Sequence, residues 1–212
     1  MAGLVITIAQ QKGGAGKTTL AAQLGAAWHA AGRRVALLDI DPQGSLFAWF
    51  SQRRRRLGDE EGGLVVHGLS GWRLGNELRR FRAEFDLVVV DSPPHAETEA
   101  RTAVREADLA LVPCQPNALD VWATAPTLDL ARREGTRALL VLNRVPPRGR
   151  ASEAIRSEIG RNGWPLAEAC LGNRQAFAAS MGEGRGVAEA APKSPAGQEI
   201  AALAAEVLAR VG

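Results

Sequence analysis

The chain has 212 residues, 46% hydrophobic and 23% charged, which suits one α/β domain of ordinary size and excludes a disordered chain. A net charge of +3 and a pI near 9.4 allow contact with a polyanion without requiring it. Cys114 and Cys170, the only cysteines, fit neither a disulfide framework nor metal-ligand spacing, and read as small buried hydrophobes of a reducing cytoplasm.

From the start, MAGLVITIAQ lacks the basic opening and apolar length of a signal peptide, and no later stretch approaches a membrane span. Short Val/Leu/Ile runs predict strands at Leu4–Ala9, Val35–Asp39, Leu64–His67, Leu87–Asp91, Leu109–Pro113 and Ala138–Leu142, with a weaker one near Leu166–Cys170. Helical stretches lie between them, at Thr18–Ala31, Trp72–Glu84, Thr98–Ala107, Leu119–Glu134, Ser152–Arg161 and Gly197–Arg210. Near-continuous apolar strands alternating with helices imply an α/β fold, a mostly parallel twisted sheet with helices on both faces, as a single domain over 1–212. Gln52–Gly63 reads as a surface loop, with Arg53–Arg56 a solvated helix end. Trp28, Trp122 and Trp164 read as core or interface packing, and His29, His67 and His95 have no metal spacing.

Arginine carries nearly all the positive charge, and the only lysines are Lys12, Lys17 and Lys193. Two of them fall in QQKGGAGKTT, Gln10–Thr19, directly between the first strand and the first helix. Glycines let a backbone curl so that its N–H groups converge on a phosphate, and the helix start adds its positive end. Lys17 would reach the β- and γ-phosphates and the Thr18 hydroxyl would ligate Mg²⁺. A plain glycine-rich turn is the competing account, and for Lys12 it is a solvated loop lysine.

Two further segments end in carboxylates. LLDIDPQG, Leu37–Gly44, places Asp39 and Asp41 two residues apart, where a helix-capping acidic turn is the alternative. FDLVVVDSPP, Phe85–Pro94, ends a buried strand in Asp91, at the sheet edge where a carboxylate could hold a water of the Mg²⁺ shell.

KGGAGKTT departs from G-x-x-x-x-G-K-[ST], with Gln11 in place of the first glycine and a second lysine, Lys12, ahead of Gly13 and Gly14. It resembles the deviant Walker A loop of the ParA/MinD ATPases, closest to small ParA-type partition ATPases. That resemblance implies a P-loop NTPase fold and ATP with Mg²⁺, held by Lys12, Gly13, Gly14, Ala15, Gly16, Lys17, Thr18 and Thr19. It also implies that Lys12 reaches across a sandwich homodimer to the other subunit's phosphates. Lys12, Lys17 and Asp41 would then be catalytic, with Asp41 positioning water. Thr18, Asp39 and Asp91 would serve the metal, and Ser92-Pro93-Pro94 would sense the γ-phosphate.

VPCQPNALDVWAT, Val112–Thr124, is similar to the family's strand-to-helix passage at the dimer face. LLVLNR, Leu139–Arg144, resembles the family's segment in which an Asn reads adenine, which implies that role for Asn143 with Arg144 beside it; otherwise Asn143 turns or caps the chain. GVAEAAPKSPAGQEI, Gly186–Ile200, resembles the family's last loop and helix, where Pro192 would line the adenine pocket.

The expected activity is slow ATP hydrolysis that a ParB-like or cargo adaptor accelerates, serving to position a plasmid, chromosome locus or protein cargo. The expected track is DNA bound without sequence preference, since no helix-turn-helix precedes the loop, with Arg148, Arg150 and Arg156 as the contacts. A MinD-like membrane switch and a relative of the nitrogenase iron protein are the alternatives. The tail EIAALAAEVLARVG is too poor in basic and aromatic residues for the first, so no membrane is expected. The second would need paired cysteines at a dimer axis.

Overall fold

In the computed structural model the described residues are 2–58, 64–94, 97–147 and 150–211. The strands are β1 Leu4–Ile8, β2 Val35–Asp39, β3 Leu64–Gly68, β4 Leu87–Asp91, β5 Leu109–Cys114 and β6 Ala138–Leu142. They form one sheet in the order β3-β2-β4-β1-β5-β6, every neighbouring pair parallel. β1 lies between β4 and β5, so the crevice beyond its carboxyl end is where such sheets take ligands. The register sets Ile8 and Asp39 both opposite Asp91, which brings the glycine-rich loop and two carboxylates to one edge.

The helices are α1 Lys17–Ala30, α2 Ser45–Leu57, α3 Leu74–Glu84, α4 Glu97–Arg105, α5 Ala118–Trp122, α6 Ala125–Glu134, α7 Arg150–Arg161, α8 Gln175–Gly182, α9 Val187–Ala190 and α10 Pro195–Val211. Side chains alternate across a strand, and the core divides accordingly. Ile6, Ile8, Leu37, Val89, Leu111 and Val141 pack with α1, α8, α9 and α10 on one face. Val5, Leu38, Val88 and Val90 pack with α3 and α4 on the other, where Val112, Leu140 and Leu142 meet α5 and α7. α1 is buried along nearly its whole length, as expected of a helix apolar all round. The Trp28 indole there donates to the Ala204 carbonyl at 3.2 Å.

Several expectations are corrected. Gln52–Gly63 is not a loop throughout, because α2 runs to Leu57; residues 59–63 lie outside the described ones. Arg53 is not solvated either: it is 2% exposed and ion-paired with Glu189 at 2.7 Å. The helix expected over Leu119–Glu134 is two, α5 and α6, with Pro126 in the first turn of the second, where its missing N–H does no harm. Leu166–Cys170 does not form a strand. Isolated parallel bridges, Leu140 to Leu166 and Val145 to Gly172, lay that segment along the β6 edge. Trp72 sits in a 3₁₀ turn, Gly71–Arg73, and is 81% exposed, while Trp122 is 61% exposed and so is not core. Cys114 is buried and Cys170 only half-buried. His95 lies outside the described residues.

Candidate nucleotide site

The loop leaves β1 and enters α1 through Gly16, whose φ of +94° is left-handed and unfavourable for any side chain. A Cβ there would also stand 2.5 Å from the Asn143 amide nitrogen and would have to displace it, so the backbone angle strains any substitution and the contact adds to it. Gly13 and Gly14, by contrast, have open space above them. No side chain caps the first turn of α1, which leaves its N–H groups for an anion.

Lys17, 7% exposed, folds back over the loop and donates to the Gln10 carbonyl at 3.1 Å. Burial lowers its pKa, and the charges of Asp91 and Asp41 partly restore it. Asp91 is 1% exposed, and neither carboxylate oxygen makes a well-formed hydrogen bond, although the Thr18 hydroxyl stands close enough to stabilise the charge. Its pKa is pushed up to about 7, chiefly by burial and further by Asp39 and Asp41, while the nearby Thr18 hydroxyl and Lys17 hold it down. A buried carboxylate so poorly partnered is costly, and this position calls for a cation or a cation-bound water. Among the described residues no three His, Cys, Asp or Glu side chains converge as a metal cage. A hydroxyl and a buried carboxylate are hard oxygen donors of the kind that suits Mg²⁺, which Thr18 and Asp91 would hold.

Asp39 spends both oxygens on the turn that follows it, accepting from Asp41 N at 3.1 Å and Phe47 N at 3.0 Å. Burial raises its pKa and those two N–H donors oppose the rise. Asp41 accepts from Gln43 N at 3.0 Å and stands half-buried at the rim, near enough for its charge to act on Lys17 and Asp91. Ser92 is tied back to β1 by a 2.9 Å bond to the Ile8 carbonyl.

On the other flank a cavity of about 490 Å³ is lined by Gly16, Thr19, Leu20, Gln23, Asn143, Arg144 and the stretch 171–178, except Ala176. Asn143 donates to the Ala15 carbonyl at 2.9 Å and accepts from Arg144 N at 2.9 Å, so its amide joins the loop to the end of β6. Arg144 has a φ of +56°, the one non-glycine residue so placed among those described. Pro192 is exposed in the α9–α10 turn and is not part of this lining. Arg148 lies outside the described residues and the Arg150 side chain is not described; Arg156 is half-buried on α7.

Sequence reasoning missed the polar groups that hold the loop in place. Gln10 donates to the Pro113 carbonyl and the Thr124 hydroxyl, and Thr127 contacts both Gln10 and Gln11 N. Lys12 is ion-paired with Asp120, and Gln23 joins α1 to Ser180 and Val187. Asp120 and Thr124 stood inside Val112–Thr124, but nothing in that string marks which polar residues turn inward.

Residues 6–187 match the family described as the CobQ/CobB/MinD/ParA nucleotide binding domain. The Maintenance of carboxysome distribution protein A of Halothiobacillus neapolitanus is 32% identical, with 84% of each chain covered. The Chromosome-partitioning ATPase Soj of Thermus thermophilus is 29% identical, covering 97% of this chain and 96% of its own. Among solved structures, the septum site-determining protein MinD of Pyrococcus horikoshii, complexed with Mg-ADP, superposes with a TM-score of 0.82 at 21% identity, covering 99% and 97% of the two chains.

Proposed function

The chain belongs to the CobQ/CobB/MinD/ParA nucleotide-binding family, and from that premise we propose that it is a ParA-type ATPase switch that binds ATP with Mg²⁺, dimerises through the nucleotide face and hydrolyses slowly. The observation that carries this reading is the convergence at one sheet edge of Lys17, the poorly partnered Asp91 carboxylate and the open Gly13–Gly14 backbone. The bound Mg²⁺ would supply charge neutralisation for the phosphates. The chain's own residues do the rest. Loop N–H groups and Lys17 would hold the phosphate chain, Thr18 and Asp91 would hold the metal, and Asp41 would position the attacking water. Lys12, 39% exposed on its side chain, is the lysine we assign to a second copy's phosphates.

The cargo-positioning role draws on the carboxysome and chromosome relatives. DNA without sequence preference is the proposed track, and a ParB-like or cargo adaptor the proposed accelerator. A membrane role is not favoured, because Ile200, Leu203, Ala204 and Val207 turn the apolar face of α10 into the core. Asp41→Ala tests the assignment: it should bind ATP with parental affinity by isothermal titration and release no phosphate above background. Loss of binding would move Asp41 from water positioning to support of the fold or metal.

A further inference from the structure

Behind the nucleotide cleft two stretches of backbone touch. Gly184 has a φ of +71°, and a Cβ there would stand 2.4 Å from Arg53 Cα, so the segment after α8 lies directly on α2. The Arg53 guanidinium closes the contact. It donates to the Gly184 carbonyl at 3.1 Å and to both Glu189 carboxylate oxygens, at 2.8 and 2.7 Å. Glu189 also accepts from Gly186 N at 2.8 Å, which shapes the turn into α9. The next amide, Val187 N, donates to Gln23 Oε1 at 2.7 Å, and Gln23 Nε2 donates to Ser180 Oγ at 3.0 Å. Gln23 and Phe177 of α8 both line the cavity of about 490 Å³.

At its other end α2 is tied to the phosphate flank. Asp39 accepts from Phe47 N in the first turn of α2 and, with its other oxygen, from Asp41 N. One run of hydrogen bonds and helix therefore joins the cavity wall to the turn that carries Asp41. Its middle is the Arg53–Glu189 fork, which is largely buried and fixed in one geometry by two parallel bonds. Packed this tightly, the segment 184–189 cannot shift without moving α2.

We propose that Arg53 is a positioning residue through which filling of the cavity orders the Asp39–Asp41 turn, so that the nucleoside half of the ligand prepares the protein for the phosphate half. This rests on the reading that the chain binds ATP with its base in that cavity. The coupling is reciprocal, and an ordered turn favours a filled cavity by the same factor.

Adenosine tests the proposal, because it fills the cavity and carries no phosphate to touch the turn. Saturating adenosine, checked by isothermal titration, should slow hydrogen exchange at Phe47 N about tenfold in the parent. In Arg53→Met and Glu189→Gln, again at saturation, the slowing should be under about twofold. A structural role alone would speed exchange in both variants, with and without adenosine, and leave the ratio at its parental value. That result would overturn the coupling. So would bound adenosine that leaves Phe47 exchange unchanged in the parent, an arm that needs no variant to fold and leaves the ATP reading intact. A parent that binds Mg-ATP but no adenosine would defeat the placement of the base in the cavity, and the coupling with it.

Discussion

Along the α8–α10 flank of the cleft, acids and bases meet partners inside the chain. Arg53 pairs with Glu189, Arg174 with Glu199 at 2.6 Å, and Glu206 accepts from the Glu168 and Ala169 N–H groups. Along the phosphate flank Asp91 keeps two oxygens without a well-formed hydrogen bond, and Phe47, Trp72, Leu119 and Trp122 stand exposed. The first flank has its ion pairs closed within the chain, whereas the second carries costs that a ligand or a second surface would remove. A switch needs both, a fixed wall to receive the nucleotide and an unsatisfied one to respond to it.

The sharpest test of the phosphate flank is Lys17→Ala, expected to weaken ATP binding about a thousandfold, roughly 4 kcal/mol, by isothermal titration. Affinity within tenfold of the parent would mean that the loop holds something other than a phosphate chain. On the opposite flank, Arg53→Ala leaves the Glu189 carboxylate without its cation and should cost about 3 kcal/mol in urea unfolding. A smaller loss would show that the flank is less complete than its geometry implies.

The third prediction contrasts folding with function at Asp91. Its carboxyl is pushed up to about 7 when folded, against an ordinary value of 3.8, so the folded state holds this proton more tightly. The resulting stability is fully present below about pH 4 and is lost as pH rises through about 7. Nucleotide-free Asp91→Asn should therefore be the more stable protein at pH 8, by about 2 kcal/mol, with the gap closing toward pH 5. It should also hydrolyse no ATP. Parallel melting curves across that range would remove the strain assigned to Asp91. Smallest of all, Glu206→Gln should cost under about 1 kcal/mol, since the group is partly solvated. N–H donors and Arg210 hold its folded pKa below the usual glutamate value despite some burial. Its contribution should be present above the unfolded pKa and fade as pH falls through the folded one.

Much of this contrast was legible in the sequence on one side only. Phosphate chemistry uses residue types and spacings that backbone geometry dictates, so Lys12–Thr19, Asp39, Asp41 and Asp91 stand out in a string. The six strands could be read from their apolar runs for the same reason, with errors of a residue or so at their ends. The completed flank is held by pairs far apart in the chain, such as Arg53 with Glu189 and Gln23 with Val187. Nothing local distinguishes a buried Arg53 from its solvated neighbours in RRRR, because Glu189 selects it only once α2 and α9 have met. Asp120 was hidden likewise, since its partner is 108 residues away.

The strand order has a consequence for the chain's synthesis. β1 is made first yet sits at the centre, pairing Leu4 with Leu87 and Ile6 with Leu109. At roughly 5–20 residues per second it waits about 5–20 s for both neighbours to be translated. Throughout that interval LVITI, with both edges unpaired, is a β-prone apolar segment outside any sheet, and the loop that follows it cannot yet be held in shape. Nascent chains shorter than β5 should therefore depend on chaperones, and a pause before Leu109 would lengthen the period in which this protein aggregates instead of folding.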